Sequence, residues 1–109
     1  DGVPNLACAI GYTNASWTLR SDLCSRYLCR LLRHMDARGA SVAVATVDSS
    51  DANEALTPIL DLQSGYVQRS RDALPRQGKK APWYVRQNYL LDWPETVLGR
   101  VRDRAIHFS

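Results

Sequence analysis

"GYTNASWT", Gly11 to Thr18, joins two contrasting stretches of the 109-residue chain. Before it runs a continuous apolar segment, Leu6-Ala7-Cys8-Ala9-Ile10, and after it a helical periodicity begins. Continuous rather than alternating apolar character reads as a short strand over 5–10, buried on both faces as in a parallel sheet. Gly11 ends that strand and residues 12–17 form the turn. A buried strand feeding a helix through a tight turn is the basic unit of an α/β site, and ligands lie beyond the carboxyl ends of such strands. The helix start offers free N–H groups and partial positive charge, which favour anionic or electron-rich groups. Gly11, Thr13, Asn14, Ala15 and Ser16 are small or hydrogen-bonding and suit close approach. The competing reading is a connection that only caps its own helix. The turn carries neither GxGxxG nor GxxxxGK[ST], so it is not a primary pyrophosphate cradle.

Working outward, the pattern predicts a helix over 18–38. Leu19, Leu23, Tyr27, Leu28, Leu31, Leu32 and Met35 recur at three and four as one apolar stripe. Ser16 or Thr18 can serve as N-cap, Asp22 brings negative charge to the first turns, and Arg33, His34 and Arg38 suit the C-terminal end before Gly39. Residues 41–47 read as a second strand and Asp48–Asp51 as a loop. Pro58 leaves 52–62 ambiguous. A short helix is expected over 65–74, a loop over 75–82, a helix over 83–92, and a last helical stretch from Pro94 to about Arg104.

Composition bounds the rest. The 45% hydrophobic and 23% charged fractions describe one modest globular unit. Cys8, Cys24 and Cys29 are odd in number and show no CxxC or Cys/His metal spacing, so reduced thiols and a cytoplasmic protein are expected. No apolar run approaches a membrane span. Positive charge gathers in 69–86, where Arg69, Arg71, Arg76, Lys79, Lys80 and Arg86 face the single acid Asp72. With Trp83, Tyr84 and Tyr89 interleaved, that stretch allows an alternative function, a small basic module for nucleic acid or an acidic partner. A solvated loop with Trp83 and Tyr89 as anchors is the preferred reading, and nucleic acid is not the expected partner. His34 reads as a surface residue complementing the helix dipole, His107 as frayed, and Cys24 and Cys29 as core thiols. No catalytic residue and no metal ligand are assigned: two histidines lack triad spacing, and Asp48, Asp51 and Glu54 lack the spacing of a calcium loop.

Pro4 to Asp36, "PNLACAIGYTNASWTLRSDLCSRYLCRLLRHMD", resembles the C-terminal FAD-domain segment of class B flavin-dependent monooxygenases, the flavin-containing and Baeyer–Villiger enzymes. Ser64 to Asp92, "SGYVQRSRDALPRQGKKAPWYVRQNYLLD", is similar to the tail of a bacterial subgroup of that family. The resemblance implies an α/β fold, here a C-terminal fragment of an FAD-binding doubly wound domain: strand, turn and long helix over 1–40, then a second strand, loop and helical tail over 41–109. It implies that Thr13, Asn14, Ala15, Ser16, Trp17 and Thr18 lie against the flavin of FAD. It also implies an intact enzyme that uses NADPH to oxygenate a small organic substrate, beside a ketone or at nitrogen or sulfur. The family's nucleotide-binding motifs are upstream and absent, so the chain alone is expected to be incomplete as a fold, inactive and without bound FAD or NADPH. Its partner would be the remainder of the parent enzyme, and the isolated chain is expected to oligomerise or exchange elements.

Overall fold

The computed structural model describes residues 2–52, 55–59, 65, 69–70 and 73–109. Two helices, α1 (Trp17–Asp36) and α2 (Tyr89–Leu98), pack against each other. Two small antiparallel pairs flank them: β1 (Ala43–Ala45) with β4 (Ile106–Phe108), and β2 (Thr57–Pro58) with β3 (Arg76–Gln77). The fold is α/β, and its strand pairing is antiparallel throughout the described residues.

The expected long helix is present as α1. It ends where the sequence indicated: Arg33 and His34 occupy the last turn, and Gly39 takes a φ of +64°, the left-handed conformation glycine adopts without strain. Its apolar stripe is only partly covered. Leu23 and Met35 are buried, whereas Leu32 is 57% exposed. Asp22 does not serve the helix start; it pairs instead with Arg26 one turn later, at 2.7 Å.

The anticipated strand over 5–10 is not formed. Residues 6–9 are exposed, with Leu6 at 71%, because a doubly buried strand needs neighbours on both sides and the described residues supply none. The chain just ahead is tied down instead. Asn5, in the left-handed region at φ 55°, donates its backbone N–H to Ala43 O, and its side-chain oxygen accepts from Ala43 N–H at 2.9 Å. Asparagine visits this region more readily than most residues, and here its amide is spent on the chain around β1, its Nδ2 also donating to Ser41 O at 3.1 Å.

The second strand is present in shortened form as β1, paired on its other side with β4 in the register Ala43–Phe108, Val44–His107, Ala45–Ile106. His107 is therefore held in a strand rather than frayed. The Ile-His-Phe alternation is a half-buried strand of only three residues, too short to stand out in the sequence.

The helix expected over 83–92 begins later, at Tyr89. Residues 83–87 are drawn away by other partners: Trp83 N–H donates to Lys80 O at 2.9 Å, and Val85 N–H donates to Gln77 Oε1 at 2.9 Å. Asn88 then caps α2, its side chain accepting from Leu91 N–H. Pro94 lies inside α2 rather than opening a new helix, and the helix stops at Leu98 as Gly99 becomes extended. The short helix expected over 65–74 falls largely outside the described residues, as do parts of 52–62.

The hydrophobic centre is small. Tyr12, Leu23, Met35 and Ala105 are the buried apolar residues among those described, while Leu90 and Leu98 on α2 are 81% and 73% exposed. The total accessible surface is 7766 Å², against about 6,000 Å² for a folded monomer of this mass. Cys8 and Cys29 are exposed and Cys24 half-buried, all three unbridged, so the core-thiol reading does not hold for Cys29. Among the described residues no helix is long and apolar enough to cross a membrane.

Candidate functional site

The turn over 11–18 is held on one side and open on the other. Tyr12, 2% exposed, donates its hydroxyl to Asp92 Oδ2 at 2.6 Å. Arg20, on the first turn of α1, donates to the same oxygen at 2.7 Å and lies over the Tyr12 ring, 5.4 Å from its centroid. Arg86 approaches the other oxygen, Oδ1, at 3.5 Å and also pairs with Glu95. Asp92 is 8% exposed, so burial is offset by charge pairing and by hydrogen bonds from separate parts of the chain. Burial and the adjacent Asp92 carboxylate push the Tyr12 hydroxyl up from 10.0 to about 12, against the opposing pull of Arg20.

Gln87 makes the second tie. Its side-chain oxygen accepts Thr13 N–H at 2.9 Å and its carbonyl accepts from Asn14 Nδ2 at 3.0 Å. Gly11 is buried directly beneath the Trp17 ring, where a Cβ would overlap the indole. These contacts explain the composition locally: glycine admits the indole, tyrosine reaches the buried carboxylate, and asparagine bridges to the tail.

Above these ties, Asn14 to Leu19 are exposed. Ser16 stands at the N-cap position without a side-chain bond back to the helix; its hydroxyl meets that of Thr18 at 2.8 Å instead. The start of α1 therefore presents uncapped N–H groups and two hydroxyls on an accessible ledge. Of the six residues singled out, Thr13 is half-buried against Gln87, and Asn14, Ala15, Ser16, Trp17 and Thr18 line the ledge. A cleft of about 400 Å³ adjoins it, bounded by Thr13, Pro58, Gln77, Tyr84, Val85 and Gln87.

The two sequence stretches that stood out, residues 11–18 and the "RQNYLLD" of the tail, thus meet in space although 80 residues separate Tyr12 from Asp92. Sequence reasoning missed Asp92, Arg20 and Gln87 as parts of the site. A signal existed: Asp92 is a lone acid among Leu90, Leu91 and Trp93 in an apolar helical run. The basic stretch is partly spent on structure, since Arg86 faces Asp92 and Glu95. His34 is not a free surface residue; its ring packs 5.1 Å from Phe108, and its Nε2 is sealed from solvent without a partner among the described residues. Among the described residues no cluster of His, Cys, Asp or Glu could hold a metal.

Over its whole length the chain is similar to one segment of FAD-containing monooxygenases, as its two quoted stretches indicated. It is 44% identical over 108 residues to the FAD-containing monooxygenase EthA of Mycobacterium tuberculosis, a match covering 99% of this chain and 22% of that protein. The EthA of Mycolicibacterium smegmatis matches equally, at 44% over 108 residues, 99% of this chain and 22% of the relative. "Probable FAD-binding monooxygenase AlmA" of Acinetobacter sp is 43% identical over 106 residues, covering 97% of this chain and 21% of the relative. The chain spans about a fifth of the length of the curated relatives it matches. No family model and no solved structure matches it.

Proposed function

We propose that the chain is the flavin-facing segment of an FAD- and NADPH-dependent monooxygenase of the cytoplasm, acting on a small organic substrate by Baeyer–Villiger or N/S-oxygenation. The observation that carries this reading is the clamped, upward-open turn. The two stretches that resemble the family are joined through Asp92 and Gln87, and the joint leaves an uncapped helix start on a free ledge. The names of the relatives support FAD as the group concerned.

The residues present fit such a group. Asn14 to Thr18 are accessible, small apart from Trp17, and rich in hydrogen-bonding atoms. The N–H groups at the start of α1 would stabilise negative charge on the pyrimidine edge of a reduced flavin. FAD, when bound, supplies the activation of molecular oxygen and the transfer of one oxygen atom to the substrate. The chain's own part is to hold the ledge still: Tyr12 and Arg20 fix its base, Thr13 N–H and Asn14 Nδ2 are committed to Gln87, and Trp17 shields Gly11.

The remaining polypeptide would supply the nucleotide-binding motifs and the neighbouring strands of a doubly wound sheet, into which 5–10 would fit. The exposed run at 6–9 and the bare faces of Leu90 and Leu98 support that arrangement. They also support self-association or exchange of elements when the segment is isolated.

The test is to purify the complete polypeptide and follow NADPH oxidation with flavin bound. A yellow, FAD-loaded protein with substrate-dependent NADPH oxidation is expected. A polypeptide that purifies colourless and cannot be reconstituted with FAD defeats the reading.

A further inference from the structure

Among the described residues Asp92 is the charged residue that the fold buries, and its bonds go to the two ends of one exposed loop. Tyr12 immediately precedes the ledge 13–18, and Arg20 follows it with only Leu19 between. Both donate to the same oxygen, Oδ2, at 2.6 and 2.7 Å. One atom of α2 thereby fixes the distance between the entry and the exit of the ledge. The surrounding elements add to the grip. Arg20 donates a further bond to Arg86 O at 3.2 Å, and Arg86 approaches Asp92 Oδ1 at 3.5 Å. The ledge's own bonds are the Ser16–Thr18 hydroxyl contact and Leu19 N–H to Ser16 O at 3.3 Å, with no side-chain cap, and its other ties, Thr13 and Asn14 to Gln87, again run to the tail. Its curvature, and the pitch at which α1 aims its first N–H groups, are therefore set from below.

A buried carboxylate is costly unless its partners are fully engaged, and removing one of them leaves the other charges stranded. A helix interface meant only to be stable is served at least as well by an apolar residue. Leu23, 2% exposed on α1, shows that the fold buries an apolar side chain of this helix close to Arg20 in sequence without any polar partner. A carboxylate at 92 has a purpose if something outside the interface depends on where residues 12 and 20 sit.

We propose that Asp92 is a positioning residue for the flavin, acting through Tyr12 and Arg20 to hold the 13–18 ledge at the span that cofactor binding needs. This rests on the flavin-facing reading of the turn. Asp92 does not touch the flavin, so its effect should show in how tightly and in what orientation the flavin sits.

The experiment compares the complete wild-type polypeptide with Asp92→Asn, Tyr12→Phe and Arg30→Ala. Each is stripped of flavin and titrated with FAD, and the visible circular dichroism of the bound flavin is recorded. Arg30 also joins α1 to the α2 region, through the carbonyls of Thr96 and Gly99, but lies away from the ledge, so its variant reports loss of helix packing alone. Asp92→Asn should weaken FAD binding roughly tenfold and Tyr12→Phe several-fold, with an altered dichroism band in both. Arg30→Ala should leave affinity within about twofold and the band unchanged. Should Asp92→Asn fail to fold, Tyr12→Phe, which keeps the ring, carries the comparison. Unchanged affinity and band in both ledge variants overturns the proposal while leaving the flavin reading intact. Equal weakening by Arg30→Ala also overturns it, because helix packing would then account for the effect. A wild type that takes up no FAD overturns both.

Discussion

Arg20 rests on the face of Tyr12 and donates to the same carboxylate oxygen, so a cation, an aromatic ring and a buried anion form one closed unit. Burial and the Asp92 carboxylate raise the tyrosine hydroxyl of this unit above its ordinary value. Its value is raised, so its sign is that of a group stabilising the fold in its protonated form. The contribution is fully present below pH 10, the ordinary tyrosine value, and is lost as pH rises through about 12. Ultraviolet difference titration should show one tyrosine ionising last, and Tyr12→Phe should remove that step and lessen the alkaline loss of stability. A Tyr12 that ionises with the exposed tyrosines contradicts the closed unit.

Gly11 admits the Trp17 ring, and nothing larger leaves room for it. Gly11→Ala should drive the indole outward and cost about 1–3 kcal/mol, the usual range for overpacking. Fluorescence in a background where Trp17 is the lone tryptophan checks this. The expected result is a red-shifted spectrum with easier quenching, and an unshifted spectrum is inconsistent with the packing.

Helices α1 and α2 start differently, and the difference is measurable. Asn88 accepts Leu91 N–H at 3.2 Å, whereas Ser16 makes no side-chain cap bond. Asn88→Ala should destabilise by about 1 kcal/mol and speed amide exchange at Leu91. Ser16→Ala should stay within about 0.5 kcal/mol. Equal costs at the two positions would mean that Ser16 caps after all.

The C-terminal strand is held by more than its ladder. Ser109 O accepts from Ser41 N–H and Val42 N–H at 2.9 and 2.8 Å, and Phe108 packs on His34. Phe108→Ala should cost about 2 kcal/mol, less than the roughly 3–5 of a fully buried phenylalanine, because this ring is half-buried. Faster amide exchange along Ala43–Ala45 should accompany it. Protection unchanged on β1 would show that β4 contributes nothing there.

What the sequence made legible follows periodicity and local chemistry. Helix α1 was readable because a regular stripe, two basic residues and Gly39 all agreed on its course and its end. The turn was readable because small hydrogen-bonding residues interrupt two apolar patterns. Residues 5–10 were misread because apolar continuity reports the need for burial, and the surfaces that would bury them are not among the described residues. Residues 83–88 were misread because Trp83, Val85, Tyr89 and Leu90 suggested one apolar helix face, while the backbone N–H groups of Trp83 and Val85 go to Lys80 O and Gln77 Oε1, which no local rule reveals. The Asp92 clamp joins positions 80 residues apart, so composition could at best mark an acid in an apolar run.

That separation along the chain has a consequence for biosynthesis. Tyr12 is added to the growing chain before Asp92 by roughly 4 to 16 s at ~5–20 residues per second. Throughout that interval the turn has no carboxylate to close upon, and the greasy stretch ahead of it is available to holding chaperones. The latch between 12 and 92 therefore cannot set until α2 has been made, and a stall before Asp92 would leave the turn unfastened.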